Sequence, residues 1–471
     1  MSWSTRRANA KTMQLVDRAS SEGETCTDRR GGEALAERVA PRDVDRGSDP
    51  FPGRPVRRPV GVPPSVKPPP PGARVGVTRV EVRDFRSARE VAFAPGPVCA
   101  LVGEANAGKS NLLAAIRAVL DPAAAPLTAA DMAEGGDGTV SIRVTLADGS
   151  EAAVEGSASQ NAVTGAMNPL PTLFLPAEER AGAVLAASTP RARGPAAGVF
   201  ERELAQHRET PGAHALAMLG AVESCSRKGL GGLVLLIEEP ELYLRPQAQR
   251  YLYRLLREFS LAGNQVIYST HSPAFLNVTR MDELVFVERC PRETRAVQPE
   301  PVSADEDFRV MTEFDAARSE LFLARTVVLV EGLTEKLVLP FVFSALGYDV
   351  DREAISIVEC GGKPNIPLFA RICRATGIPF VVVHDSDRRT SGRVAPAERA
   401  LNALIADAGG EERVIVLDPD FEAVAGLTGR RHKPEHAWRE FAERPATEMP
   451  AQLLRVAELT LSLLHRAADR H

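Results

Sequence analysis

Thr326-Val-Val-Leu-Val-Glu331-Gly332 and Phe380-Val-Val-Val-His384-Asp385-Ser-Asp387 decide how this chain is read. Each is an apolar, β-branched run of strand length that stops on carboxylates. Such runs read as buried strands of a mostly parallel sheet. In open α/β sheets the chemistry gathers beyond the carboxyl ends of the strands. Two strands that deliver Glu331, Asp385 and Asp387 to one edge make a hard, oxygen-only site suited to Mg²⁺.

The residues around these runs extend the pattern. Glu331-Gly-Leu-Thr-Glu335-Lys336 leads into an amphipathic helix to Leu346, and Ile355 to Cys360 is a strand closing on Gly361-Gly-Lys-Pro-Asn365. A helix over Leu368 to Thr376 precedes the second quoted run. Val414 to Leu417 is a further strand, ending in Asp418-Pro-Asp420-Phe-Glu422. Strands alternating with helices imply a compact parallel sheet. Glu331 and Glu335 lie four apart, so with Glu335 on the helix both face one edge. A pair of hard cations about 4 Å apart calls for four or more carboxylates. Glu331, Glu335, Asp385, Asp387 and Glu422 supply five, with Asp418 and Asp420 in reserve. Cys360, Cys373 and His384 read as core residues. Arg388, Arg389, Arg430 and Arg431 read either as a grip on a nucleic-acid backbone or as a solvated basic rim.

A second chemistry lies upstream. Pro97 to Gly103 is a buried strand running into Gly103-Glu-Ala-Asn106-Ala-Gly108-Lys109-Ser110-Asn111, a full GxxxxGK[ST] pattern, and a helix to Leu120. Glycines let the backbone wrap phosphates with its N–H groups and the helix N-terminus aimed at the anion. Lys109 then reaches the β/γ-phosphates and Ser110 the Mg²⁺. Gly232 to Ile237 is another buried strand, ending on Glu238-Glu239-Pro240-Glu241. Glu238 is placed to hold the Mg²⁺ through water and Glu239 to polarise an attacking water. Gln265 to Thr270 ends in His271, within reach of a γ-phosphate. Val75 to Phe93 alternates as a hairpin. Glu283 to Glu288 is a short strand, Pro291 to Pro301 a charged loop, and Asp305 to Leu323 a helix.

Composition bounds the rest. The 471 residues suit two or three domains, with 44% hydrophobic and 25% charged content typical of globular protein. No run approaches the roughly 18 apolar residues of a membrane span, and no secretory signal is expected. The six cysteines never form CxxC, which suits a reducing cytoplasm. The net charge is −5, but residues 1–75 hold 14 Lys and Arg against 9 Asp and Glu, so the remainder stands at −10. No strongly basic nucleic-acid-binding body is visible in these totals. Pro50 to Gly72 contains ten prolines, so residues 1–74 read as a disordered extension with a stiff linker. Ala437 to Ala468 reads as an amphipathic helix that packs or dimerises.

The upstream motifs, ending in an EEPE run and a switch His, resemble ATP-binding-cassette ATPases, in the branch shared by DNA-repair ATPases and the OLD (overcoming lysogenization defect) nucleases. The later stretches VEGLTEKLVLPFVFSALG, VECGGKPNI and VVVHDSD are similar to the OLD version of a Toprim domain. The order, ATPase then Toprim, strengthens the likeness, which covers roughly residues 75–445. It implies ATP sandwiched between two heads, hence a homodimer, and a two-metal site (Mg²⁺ or Mn²⁺) acting on DNA. It also implies that Lys433 stabilises charge at the phosphate, although a plain surface lysine remains open. The cassette signature falls near Glu209 to His214, where only Thr210 and Gly212 fit. No Tyr follows Asp387, which argues against a topoisomerase, and the cysteine spacing excludes a primase zinc ribbon. The expected architecture is α/β: residues 1–74 an extension, 75–320 the ATPase, 321–445 the Toprim domain and 446–471 a terminal helix. The expected function is an ATP- and Mg²⁺-dependent DNA endonuclease in phage defence or DNA repair. The alternative is a nucleotide-gated DNA-binding regulator that does not cut.

Overall fold

The computed structural model describes residues 76–136, 138–157, 160–164, 170–177, 194–206, 210–276, 278–290, 293–300, 318–388, 391–427 and 433–470. The chain divides into two units, 1–64 and 65–471, and every described residue belongs to the second. The predicted extension and Pro-rich linker lie outside the described residues.

The expected first hairpin is β1 (Val77–Phe85) with β2 (Ala88–Phe93), and β3 (Val98–Val102) then runs through the Gly-rich loop into α1 (Lys109–Leu120). The chain next returns to the hairpin as β4 (Thr139–Leu146), β5 (Glu151–Ser157) and β6 (Gln160–Thr164), making an antiparallel sheet of order β2-β1-β4-β5-β6. A second sheet gathers β3 with β7 (Thr172–Leu175), β8 (Val234–Glu238), β9 (Gln265–Thr270), β10 (Leu284–Cys290) and β11 (Glu293–Val297). Its order is β11-β10-β3-β9-β8-β7, parallel throughout except for the β10–β11 pair. Along this stretch run α2 (Pro195–Gln206), α3 (Pro211–Lys228) and α4 (Pro246–Leu261).

Helix α1 is the filling between the two sheets. Its Leu112, Leu113, Ile116 and Val119 are buried in one core with Val80, Val82, Ile142 and Val144 from one side and Leu101, Leu236 and Ile267 from the other. Each such side chain contributes about 1.5–3 kcal/mol on burial. A polar rivet supplements this packing: buried Gln265 accepts from the Val77 amide at 2.7 Å and donates to Val77 O at 2.7 Å and Gly96 O at 2.8 Å. One side-chain amide thus satisfies backbone groups of the first strand and of the turn before β3, groups that are costly to bury unpaired.

A 3₁₀ turn (Arg318–Leu323) leads to the third sheet, which is built from β12 (Thr326–Val330), α5 (Leu333–Ala345), β13 (Ile355–Glu359), α6 (Ile366–Thr376), β14 (Phe380–Asp385), α7 (Pro396–Gly409) and β15 (Val414–Leu417). All pairs are parallel and the order is β13-β12-β14-β15. The chain steps one way from β12 to β13 and the other way from β12 to β14, so the topological switch point lies between β12 and β14. Leu329 pairs with Val382, which brings Glu331 and Asp385 out at the same edge within one residue of each other. Three helices follow: α8 (Phe421–Ala425), α9 (Lys433–Glu443) and α10 (Ala451–Arg470).

Three expectations are corrected. The charged loop over 291–301 contains β11, whose alternating short residues pair with β10 in place of solvent. Of the helix expected over 305–323, only 318–323 is described, and that piece is 3₁₀. The single terminal helix is two, broken around Pro445 and Pro450, which lack the N–H a helix interior needs. As expected, the tail packs: Leu453, Val456, Ala457, Leu461 and Leu464 of α10 are buried in one core with Val328, Val330, Val381 and Val383. Among the described residues no helix is long and apolar enough to cross a membrane.

Gly108 has φ 106, and a Cβ built there lies 2.1 Å from Thr294 Oγ1 of β11. Gly108→Ala therefore forces both a left-handed backbone and a steric collision, and should cost about 2–4 kcal/mol. Urea unfolding of the nucleotide-free protein measures it, and a loss under about 0.5 kcal/mol would refute this account.

Candidate functional site

The Gly-rich loop is walled in by the β10–β11 hairpin. A Cβ at Gly103 would lie 2.0 Å from Val287 O, as Gly108 is confined by Thr294. Thr294 Oγ1 donates to Ala107 O at 2.9 Å, and Ser87 Oγ lies 2.7 Å from both Thr294 Oγ1 and Asn111 Nδ2. Asn111 also accepts from Arg86 at 3.2 Å, so this predicted nucleotide contact is tied to the first hairpin. Lys109 folds back over the loop, donating to Gly103 O at 2.8 Å and Glu104 O at 2.7 Å. Burial lowers its ammonium pKa to about 8, against the pull of Glu239, Glu241 and Glu104. Asn106 stands exposed with φ 62, and Ser110 is exposed on the first turn of α1. The side chain of Glu104 reaches Arg325, the residue before β12, at 3.5 Å.

Glu239 and His271, two of the other nucleotide-side candidates, lie against each other. Glu238 accepts from the Ala177 amide at 3.0 Å. Glu239, at φ 46, donates its amide to Ser269 O at 3.0 Å and holds its carboxylate 3.4 Å from His271 Nε2. Burial and the nearby Lys109 lower the His271 pKa. Sequence reasoning gave Glu241 no role of its own, yet it accepts from the His271 amide at 2.7 Å and from Thr270 Oγ1 at 2.9 Å, fixing the His loop. The signature region is the start of α3, where Thr210 accepts from Ala213 N at 3.2 Å and Pro211 occupies the first turn, a well-formed cap.

At the switch point of the third sheet the carboxylates are chained through backbone amides. Glu331 Oε1 accepts from the Asp385 amide at 2.7 Å, and Asp385 Oδ1 accepts from the Phe421 amide at 2.8 Å. Burial is the main cause that raises Glu331 to about 7, with Glu335 and Asp387 adding to it. Burial likewise raises Asp385 to about 8, helped by Glu331, Glu335 and Glu422. Glu335, buried in the first turn of α5, is raised by burial and by Glu422 and Glu359. Asp387 is exposed at φ 55. His384 is buried against the sheet, its Nδ1 2.8 Å from Asp385 O, and burial drops its pKa to about 4. Asp418 binds Ser386 at 2.7 Å and Arg388 at 3.0 Å, and Asp420 caps α8 through Ala423 N at 2.8 Å. Lys433 opens α9; its side chain, like Arg389, Arg430 and Arg431, lies outside the described residues.

Lys363 is the residue sequence reasoning missed. Its Nζ donates to Asp385 O at 2.6 Å and Asp387 Oδ2 at 2.5 Å, with Glu398 Oε2 at 3.8 Å. The signal was present in Gly361-Gly362-Lys363, a turn directly at a strand end. Among the described residues no three His, Cys, Asp or Glu side chains are gathered into an ion-holding cluster, because amides and Lys363 hold them instead. A positive charge nonetheless sits on Asp387, and the surrounding donors are hard oxygens. Hard carboxylate oxygens are the donors that a divalent cation takes.

Residues 322–387 match the family described as Overcoming lysogenization defect protein-like, TOPRIM domain, and residues 215–276 match an AAA ATPase domain. The OLD nuclease of Thermus scotoductus (strain ATCC 700910 / SA-01) is 38% identical over 237 residues, 46% of this chain and 45% of that protein. The Old nuclease of Escherichia phage P2 is 30% identical over 161 residues, 33% of this chain and 28% of its own. The solved C-terminal region of the Burkholderia pseudomallei OLD protein aligns at 18% identity and a TM-score of 0.26, over 30% of this chain and 98% of that one. The chain thus spans less than half the length of the curated relatives it matches. It contains an AAA-type ATPase domain and an OLD-like Toprim domain.

Raised carboxyl pKa values make folding favour the protonated forms of Glu331 and Asp385. Without metal, their contribution to stability is complete below about pH 4 and is lost as pH rises through about 7 and 8. The urea midpoint in chelator should therefore fall from pH 5 to pH 8, and Asp385→Asn should flatten that fall. A midpoint that rises over this range, or a slope unchanged in Asp385→Asn, contradicts the assignment.

Proposed function

We propose that this chain is an ATP-binding and hydrolysing, Mg²⁺- or Mn²⁺-dependent DNA endonuclease that nicks or cleaves phosphodiesters, active in phage defence or DNA repair. The observation that supports the reading is that β12 and β14 end side by side at a parallel-sheet switch point, with Glu331 accepting the Asp385 amide there and Asp387 two residues further on. Glu331, Glu335, Asp385, Asp387 and Glu422 would hold the cations, and Lys433 would face the negative charge of the scissile phosphate. Bound divalent ions supply an activated water and stabilise the leaving 3′-oxygen. On the nucleotide side, Gly103, Asn106, Gly108 and Asn111 shape the phosphate loop and Lys109 leaves its carbonyls for the β/γ-phosphates. Ser110 and Glu238 take the nucleotide's metal, Glu239 accepts the proton of the attacking water, and His271 faces the γ-phosphate.

In this reading residues 75–320 are the ATPase, 321–445 the Toprim domain and 446–471 its closing helix, with 1–74 an extension. Two copies sandwich ATP as a homodimer, Thr210 and Gly212 of one head meeting the phosphate held by the other, in the cytoplasm and near DNA. One observation favours the runner-up, a nucleotide-gated DNA-binding regulator: Lys363 already neutralises Asp387.

Supercoiled plasmid incubated with Mg²⁺ or Mn²⁺, with and without ATP, separates the two. The wild type should relax or linearise it, and Asp385→Asn should lower the rate at least about 100-fold. Unchanged plasmid, or equal cutting by the mutant, leaves the regulator. Phosphate release should fall to background in Lys109→Ala, and turnover equal to wild type would rule out the nucleotide site.

A further inference from the structure

We infer that Lys363 is a tethered counter-ion, which holds the cation position at Asp387 in the metal-free protein and yields it to a divalent ion by shifting onto Glu398. The inference rests on the metal-site reading above and adds what sets the affinity of that site.

The position of this lysine is built. Its side chain is 6% exposed, and its three donors face Asp385 O, Asp387 Oδ2 and, further off, Glu398 Oε2. A lysine is rarely buried to this degree unless it is paired. The turn that carries it is fixed from both sides: the Gly362 amide donates to Glu331 O at 2.8 Å, and Asn365 Nδ2 donates to Cys360 O at 3.0 Å. Gly361 and Gly362 take φ 73 and 117, so the backbone bends sharply at the strand end and delivers the ammonium into the carboxylate edge.

Charge explains why such a group is placed there. The Asp387 carboxylate lies near Glu331 and Asp385, and Lys363 is its positive partner when no metal is present. An ammonium is a compact charge on a flexible four-carbon stem, so it can pivot where a guanidinium fork could not. A divalent ion on Asp387 cannot share that oxygen with an ammonium 2.5 Å away without strong repulsion. Glu398, on α7 at 3.8 Å, offers the lysine an alternative anion without breaking its bond to Asp385 O. Metal binding is therefore an exchange of cations, and its affinity reports the competition.

Two substitutions act in opposite directions. Removing the competitor with Lys363→Met should tighten Mn²⁺ binding by about tenfold. Removing the lysine's refuge with Glu398→Gln should weaken it severalfold. Calorimetric titration of MnCl₂ into full-length protein reads both, with melting temperature alongside. Metal-free Lys363→Met should melt below wild type and regain the difference in saturating Mn²⁺. Lys363→Met binding Mn²⁺ as wild type does, or more weakly, overturns the inference, as does Glu398→Gln binding more tightly. If Lys363→Met does not fold, the Glu398→Gln titration decides alone. If wild type and both variants take up no Mn²⁺, the metal-site reading itself fails and the inference with it. Mn²⁺ uptake by Lys363→Met alone supports both.

Discussion

The hydrogen bond from the Asp385 amide to Glu331 Oε1 is the constraint around which the third sheet is arranged. It closes the gap between β12 and β14 where the chain reverses its direction of travel across the sheet. Asp385 passes the constraint on by accepting the Phe421 amide, so the ends of β12, β14 and the segment after β15 are pinned to one another. A carboxylate that spends one oxygen on the backbone still has another to offer a ligand. A structural hydrogen bond thus leaves each of these carboxylates with an oxygen to spare. The cost is visible in the raised pKa values of Glu331 and Asp385, since acids brought this close out of water resist ionising together.

The nucleotide side uses the same device with different residues. Glu241 holds the His271 loop through an amide and a hydroxyl, leaving His271 itself turned toward Glu239. Gly103 and Gly108 are required by the approach of Val287 O and Thr294 as much as by any phosphate. In both places a partly buried carboxylate fixes a neighbouring segment through a backbone amide.

What was legible in the sequence follows from these physical terms. The parallel strands announced themselves as short apolar runs ending on acids, because burial on both faces demands unbroken hydrophobicity. Glu331, Asp385, Glu239 and His271 were found because they terminate such runs. The antiparallel strands β4 to β6 were not read, since charged residues such as Arg143 and Glu155 alternate along them and dilute the apolar signal. Lys363 and Glu241 escaped for another reason: their importance lies in contacts 22 to 30 residues away, which no local pattern encodes. Asn111 was assigned from its place in the motif, whereas its bond to Ser87 depends on the fold and has no local signal.

One short strand joins the two chemistries. Arg325, just before β12, reaches Glu104 of the Gly-rich loop, and Glu331, just after β12, receives the Asp385 amide. The five buried residues between them span roughly 17 Å and cannot bend independently. The strand is buried along its whole length, and at its upstream end Arg325 forms a partly exposed pair with Glu104. Such a pair is worth little on its own. The junction between the two sheets therefore rests on the buried core that Val327 and Leu329 share with Val98, Val102 and Phe286, and not on the surface pair.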